Sequence, residues 1–194
     1  MKFSERIWDI LRSGGIGVLS TDTIYGVVGS AMTENTVKRI YSVRHRDGRK
    51  PMIVLIASTG DFRLFGMRLG SVEKNILDKL WPGKVSVILP CADPEFEYLR
   101  CGTGSIAFRV PDDDDLRELL DGIGPLVAPS ANPEGKKPAT TIRMAEDYFG
   151  SDMDFYEDRG KVIGEPSTLV AMENGEFSVI REGAVKIDDI LDSA

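Results

Sequence analysis

The 194-residue sequence carries 31 acidic and 24 basic residues, a formal net charge of −7, with 42% hydrophobic and 28% charged residues. This is the composition of a soluble globular protein with a self-sufficient core, and the length fits one domain over 1–194. It excludes a general nucleic-acid coat, a membrane-spanning segment and a structural zinc site, since Cys91, Cys101 and one histidine are too few ligands.

Taken in order, Ser4–Arg12 reads as a helix, with Ile7, Ile10 and Leu11 at i, i+3, i+4, Ser4 as cap and Gly14-Gly15 as stop. Ile16–Ser20 is a buried strand. Thr21-Asp22-Thr23-Ile24-Tyr25-Gly26 then sets hydroxyls and a carboxylate at its end, where open α/β sheets bind ligands. Val27–Gly29 continues as strand or turn. Thr33–Val43 is a helix with Thr33 as cap. It runs into Arg44-His45-Arg46-Asp47-Gly48-Arg49-Lys50-Pro51, a crowd of cations in an acidic chain, before a strand at Met52–Ala57. Such a loop suits phosphates, though a solvated basic turn has the same composition.

Ser71–Leu80 is an amphipathic helix stopped by Trp81-Pro82-Gly83, and Val85–Leu89 is a strand. Cys91–Gly104 reads as an irregular, exposed connection and the longest candidate for a mobile loop. Ser105–Val110 is a strand with Arg109 near its end. The four aspartates 112–115 open the next helix, to Leu120, and complement its dipole. Leu126–Ala128 is a short strand leading into the turn Pro129-Ser130-Ala131-Asn132-Pro133. Thr141–Phe149 is helical and Met153–Tyr156 a weak strand. Thr168–Met172 and Phe177–Ile180 flank Asn174-Gly175, a hairpin signal, and Ile187–Leu191 is a short helix. Strands alternating with helices, then a hairpin, indicate an α/β domain with a mixed sheet. With no secretory run at Met1–Arg6, the expected setting is a reducing cytoplasm with two free thiols.

Several standard sites are missing. The sequence has no phosphate-binding Gly-x-x-x-x-Gly-Lys-Ser/Thr, no Gly-x-Gly-x-x-Gly after a strand, and no Cys-x-x-Cys, His-Glu-x-x-His or Gly-x-Ser-x-Gly. With His45 as the sole histidine, a Ser-His-Asp triad would have to be built around the basic loop, a setting that disfavours it. What remains is a set of cations and hydroxyls at loops and strand ends. Thr21, Thr23, Arg44, Arg46, Lys50, Ser105, Arg109, Ser130, Asn132, Thr140, Ser167 and Arg181 suit an enzyme that neutralises phosphate charge without a covalent intermediate. Singly, each also reads as structural: Arg109 as a surface cation, Ser130 and Asn132 as turn formers.

Their order is what singles them out. Ser20-Thr21-Asp22-Thr23-Ile24-Tyr25-Gly26, Arg44-x-Arg46 with Lys50-Pro51, Trp81-Pro82-Gly83, Phe108-Arg109-Val110-Pro111, Ser130-x-Asn132 with Pro138–Thr141, Ser167-Thr168 and Arg181-x-Gly183 resemble, in sequence, the motifs of the YrdC/Sua5 family, the threonylcarbamoyl-AMP synthases. The resemblance covers nearly the whole chain. It implies a twisted mixed sheet with flanking helices around a basic cleft, and the synthesis of L-threonylcarbamoyl-AMP and pyrophosphate from L-threonine, bicarbonate or CO2, and ATP, with Mg²⁺ accompanying the nucleotide. It assigns Thr23, Arg109, Ser130 and Ser167 to threonine. It assigns Arg44, Arg46, Lys50, Ser105, Asn132, Thr140 and Arg181 to ATP, with Arg46, Lys50 and Arg181 supplying catalytic charge. No protein ligand to the metal and no general base is identified. A tRNA contact and a downstream threonylcarbamoyl-transferase complex are the implied partners; no membrane is.

Three departures stand out against the family: Arg44 where a lysine is usual, Leu55 where histidine is frequent, and Ser20 for proline. Long family members carry a further C-terminal domain, and this chain ends without one. The alternative is a YrdC-like RNA-binding module without adenylation, which the −7 charge disfavours. A carbamoyl-transfer module acting on another acceptor is a third reading.

Overall fold

The computed structural model describes residues 2–173 and 176–187. Among these the strands are β1 (Gly17–Ser20), β2 (Tyr25–Ser30), β3 (Ile53–Leu55), β4 (Val85–Pro90), β5 (Ser105–Arg109), β6 (Leu126–Val127), β7 (Phe155–Tyr156), β8 (Thr168–Glu173) and β9 (Glu176–Arg181). The helices are α1 (Glu5–Arg12), α2 (Glu34–Val43), α3 (Ser71–Leu80), α4 (Glu97–Arg100), α5 (Asp114–Ile123) and α6 (Ile142–Phe149). The strands form one mixed sheet in the order β7-β1-β2-β6-β3-β5-β4-β8-β9. The expected α/β fold with a mixed, twisted sheet is what the chain adopts.

Alternation along the strands explains the two-sided core. In β1, Val18 faces one apolar cluster and Leu19 the other, and Val27 and Val28 divide likewise in β2, as do Val54 and Leu55 in β3. Leu19, Val28, Leu55 and Leu126 pack on the apolar stripes of α1 and α5. The opposite face meets α2, α3 and α6 through Val37, Ile40, Leu77, Leu80, Ala145 and Phe149. Leu55 is therefore fully buried on the α1/α5 side of the sheet.

Local details correct several expectations. Ser4 and Thr33 precede their helices in extended conformation, but neither side chain caps a backbone N–H. The aspartate run does cap its helix: the Asp113 side chain accepts from Leu116 N at 2.9 Å. The Cys91–Gly104 stretch is not an irregular exposed connection. It contains a 3-10 turn at Pro94–Phe96 and α4, and it buries Cys91, Phe96 and Leu99. Phe96 packs on Phe65, which is part of a 3-10 segment, Thr59–Phe65, opened by a Ser58/Asp61 capping box. That segment is too short and aperiodic to register as a helical pattern. The hairpin is present as the antiparallel pair β8–β9, with a bulge at Leu169/Val170. Its Asn174-Gly175 turn, and the expected helix beyond Ile187, lie outside the described residues. Both cysteines are free. Among the described residues no helix is long and apolar enough to cross a membrane.

Candidate active site

One cavity of about 390 Å³ opens on the sheet, within the usual range of small-molecule pockets, roughly 300–1,000 Å³. Its floor is the sheet itself. Ile53, Ala107 and Ile88 lie side by side in register across β3, β5 and β4, with Leu169 on β8 beyond them. The small Ala107 between two isoleucines leaves depth at the centre. Polar groups form the walls, and they come from loops far apart in the chain.

The first wall is the β1–β2 turn. Ser20 pairs with Tyr25, so Thr21–Ile24 is a tight four-residue loop. Thr21 Oγ1 donates to Ile24 O at 2.9 Å and lies 2.9 Å from Thr23 Oγ1. Thr23 Oγ1 in turn accepts from Arg109 Nη1 at 3.3 Å. Arg109 ends β5 and is 3% exposed, its charge facing the Asp22 carboxylate at 2.9 Å. Asp22 lies behind the wall, where its other oxygen accepts from Asp112 N at 3.1 Å. Burial pushes the Asp22 carboxyl up and the Arg109 guanidinium down, each opposed by the partner's charge. Arg109 Nε has no hydrogen-bond partner among the described residues.

The second wall is the basic loop. Helix α2 ends in a Schellman motif: His45 N donates to Ser42 O and Arg46 N to Tyr41 O, both at 3.0 Å, with His45 in the left-handed region at φ +49°. His45 takes the place a glycine usually holds, and its side chain is exposed. The reversal it makes sends Arg44 and Arg46 to the same cavity. Arg44, 2% exposed, donates from Nε to Asn132 O at 3.0 Å and from Nη2 to Ser130 Oγ at 3.2 Å. Arg46 donates to the carbonyls of Lys50 and Pro51.

Ser130 hangs beside β2 through a bridge to Gly26, and the Val27 N donates to Pro129 O at 2.9 Å. Gly26 keeps that approach open, since a Cβ there would lie 3.3 Å from Pro129 O. The last wall is the start of β8. Ser167 shares a buried 2.8 Å hydrogen bond with Ser86, and Arg181 Nη2 donates to Ser167 O at 2.7 Å.

Thr23, Arg44, Arg46, Ser105, Arg109, Ser130, Ser167 and Arg181 thus line one cavity, as do Thr21 and Thr103. Three anticipated residues do not. Lys50 is exposed and ion-paired to Glu134. Asn132 is buried and turns its amide to Pro133 O and Lys136 O, serving the cavity through its carbonyl on Arg44. Thr140 is exposed and accepts from Val162 N through its carbonyl at 2.9 Å. Sequence reasoning missed Asp22 as the partner of Arg109. An acid flanked by two threonines at a strand end is its only sequence signal.

The site's charge is lopsided. Burial first, and then the charge of Arg46, pushes Arg44 down to about 10 and also lowers Arg181. Arg44 and Arg181, each feeling the charge of Arg46, make with it a cationic set that fits a polyanion. Among the described residues the cavity wall includes no carboxylate, so the protein offers a metal ion no hard anionic ligand there.

A sequence-family model described as "Telomere recombination" (Sua5_yciO_yrdC) matches residues 9–183. The chain is 30% identical over 181 residues to a putative threonylcarbamoyl-AMP synthase of Methanocaldococcus jannaschii, covering 93% of this chain and 85% of that one. It is 28% identical over 183 residues to the threonylcarbamoyl-AMP synthase of Pyrococcus abyssi, covering 93% of this chain but 54% of that longer protein. In structure it is similar to P. abyssi Sua5 complexed with L-threonine, at TM-score 0.89 and 26% identity, over 99% of this chain and 58% of that one. Escherichia coli YciO shares the fold at TM-score 0.83 and 20% identity, over 95% and 91% of the two chains.

Proposed function

The chain belongs to the Sua5/YciO/YrdC family, and from that membership we propose that it is an L-threonylcarbamoyladenylate synthase, a nucleotidyltransferase making threonylcarbamoyl-AMP for tRNA modification in the cytoplasm. The observation that carries the reading is one cavity holding an Arg109–hydroxyl wall beside three guanidiniums. An amino acid and a nucleoside triphosphate need those two surfaces side by side.

In this reading Arg109 takes the threonine carboxylate, and Thr23, Ser130 and Ser167 fix its hydroxyl and amine. The amine attacks CO2, forming the carbamate C–N bond and releasing one proton to solvent. The carbamate oxygen then attacks the α-phosphorus of ATP, and the bond to the bridging oxygen breaks, so pyrophosphate leaves with the electron pair. Negative charge builds on the transferring group. Arg44, Arg46 and Arg181 stand ready to neutralise it without reorganisation. Ser105 lines the same cavity. Lys50 reaches the nucleotide by leaving Glu134, and Asn132 acts through Arg44; Thr140 serves the nucleotide from outside this cavity. Mg²⁺ accompanying ATP would supply further charge neutralisation, and among the described residues lining the cavity no carboxylate would hold it.

A tRNA contact and a complex that consumes the product complete the proposal. The RNA-binding alternative calls for an open basic face, whereas the cations here converge in a concavity. The test is pyrophosphate release from ATP with bicarbonate and each amino acid in turn. Release that requires both threonine and bicarbonate is expected; release indifferent to threonine overturns the assignment.

A further inference from the structure

Among the three guanidiniums on the phosphate side, Arg44 is the one tied to a side-chain hydroxyl of the threonine wall. Its Nε and Nη2 are committed to Asn132 O and Ser130 Oγ. Its remaining nitrogen, Nη1, is buried and has no hydrogen-bond partner among the described residues, on a side chain that is 2% exposed and lines the cavity. A buried donor left unmade is costly, and an anion seated in the cavity would satisfy it with a charge-assisted hydrogen bond. The nitrogens lie in one rigid plane, so fixing Nη1 also fixes Nη2 and Nε. Lysine, with a single nitrogen, cannot hold the turn and an anion in one plane.

Resting on the functional reading above, we infer that Arg44 couples the two substrates: a nucleotide phosphate on Nη1 locks the plane that holds Ser130, so that ATP tightens threonine binding. By linkage, threonine tightens ATP by the same factor. The residue thereby determines mutual affinity, beyond contributing charge. Among the described residues Arg44 Nη2 is the hydrogen-bond partner of the Ser130 hydroxyl; the turn's backbone is held separately, by the bridge to Gly26, Ala131 N on Tyr25 O and Asn132 N on Ser130 O.

The test is titration calorimetry of L-threonine with and without a non-hydrolysable ATP analogue, and of the analogue with and without threonine. Wild type is expected to show reciprocal tightening, on the order of tenfold. In Arg44→Lys the coupling factor, taken as a ratio of affinities within the variant, is expected to fall towards one. Ser130→Ala, a small change in a loop, removes the other end of the link and is expected to bring the ratio of analogue affinities with and without saturating threonine towards one, a ratio taken within the variant and so independent of how tightly it binds either ligand alone. Wild type that binds both ligands with a factor of one overturns the coupling and leaves the synthase reading standing. Coupling that survives intact in both variants also overturns it. Failure of wild type to bind either ligand sinks both readings together.

Discussion

Asp22 and Arg109 form an ion pair at 2.9 Å whose side chains are 2% and 4% exposed. Removing one partner of such a pair leaves a buried charge, at a cost of about 3–5 kcal/mol. Asp22→Ala is therefore expected to unfold at much lower urea than wild type. The double variant Asp22→Leu/Arg109→Met, which removes both charges, is expected to recover most of the loss yet fail to bind threonine. A double variant as unstable as the single one would show that the pair is not what Asp22 contributes.

The Arg46 side chain hydrogen-bonds the protein through the Lys50 and Pro51 carbonyls, so Arg46→Ala is expected to cost about 1 kcal/mol of stability. Turnover is expected to fall by roughly 10²–10³, as for loss of another transition-state charge donor. Pyrophosphate release and urea unfolding on the same preparation separate the two effects. Near-normal release would remove Arg46 from the catalytic set.

Gly183 sits against the wall it helps to build. A Cβ there would lie 2.2 Å from Pro166 O and 2.8 Å from Ser167 O, the acceptor of Arg181. Gly183→Ala is expected to lower stability by about 1–3 kcal/mol through overpacking, and to weaken threonine and nucleotide binding together. Gly48→Ala is the control, because a Cβ at that position would meet nothing within 4 Å; thermal unfolding should place it within about 0.5 kcal/mol of wild type. Equal effects at the two sites would refute the packing argument.

Asp154 ties β1 to α2 by accepting from Ile16 N at 2.8 Å and Arg39 Nη1 at 2.6 Å. The Arg39 hydrogen bond, foremost, holds its carboxyl below the ordinary value of 3.8. A carboxyl depressed in the folded state contributes stability above its unfolded value, and that contribution disappears as pH falls through the folded one. Asp154→Asn is accordingly expected to be less stable at pH 7, by about 1 kcal/mol because the pair is partly exposed. The gap should close as pH falls below 3.8. Urea midpoints at a series of pH values check this, and a gap independent of pH would contradict it.

The sequence by itself determined the fold class and most element positions, because burial of one face imposes period 3.6 on Ser71–Leu80 and burial of both faces makes β1 to β3 short continuous apolar runs. It also supplied the cavity's arginines and hydroxyls, since their motifs keep their order along the chain. What only the tertiary structure decided is which of them meet. Lys50 and Thr140 carry the same chemistry as Arg46 and Ser105 but lie elsewhere, one paired to Glu134 and one exposed to solvent. Asp22 pairs with an arginine from a distant strand, and Arg44 reaches the Ser130 turn. Such contacts depend on strand order and turn geometry, set by the packing of the whole sheet, and no local pattern of residues encodes them.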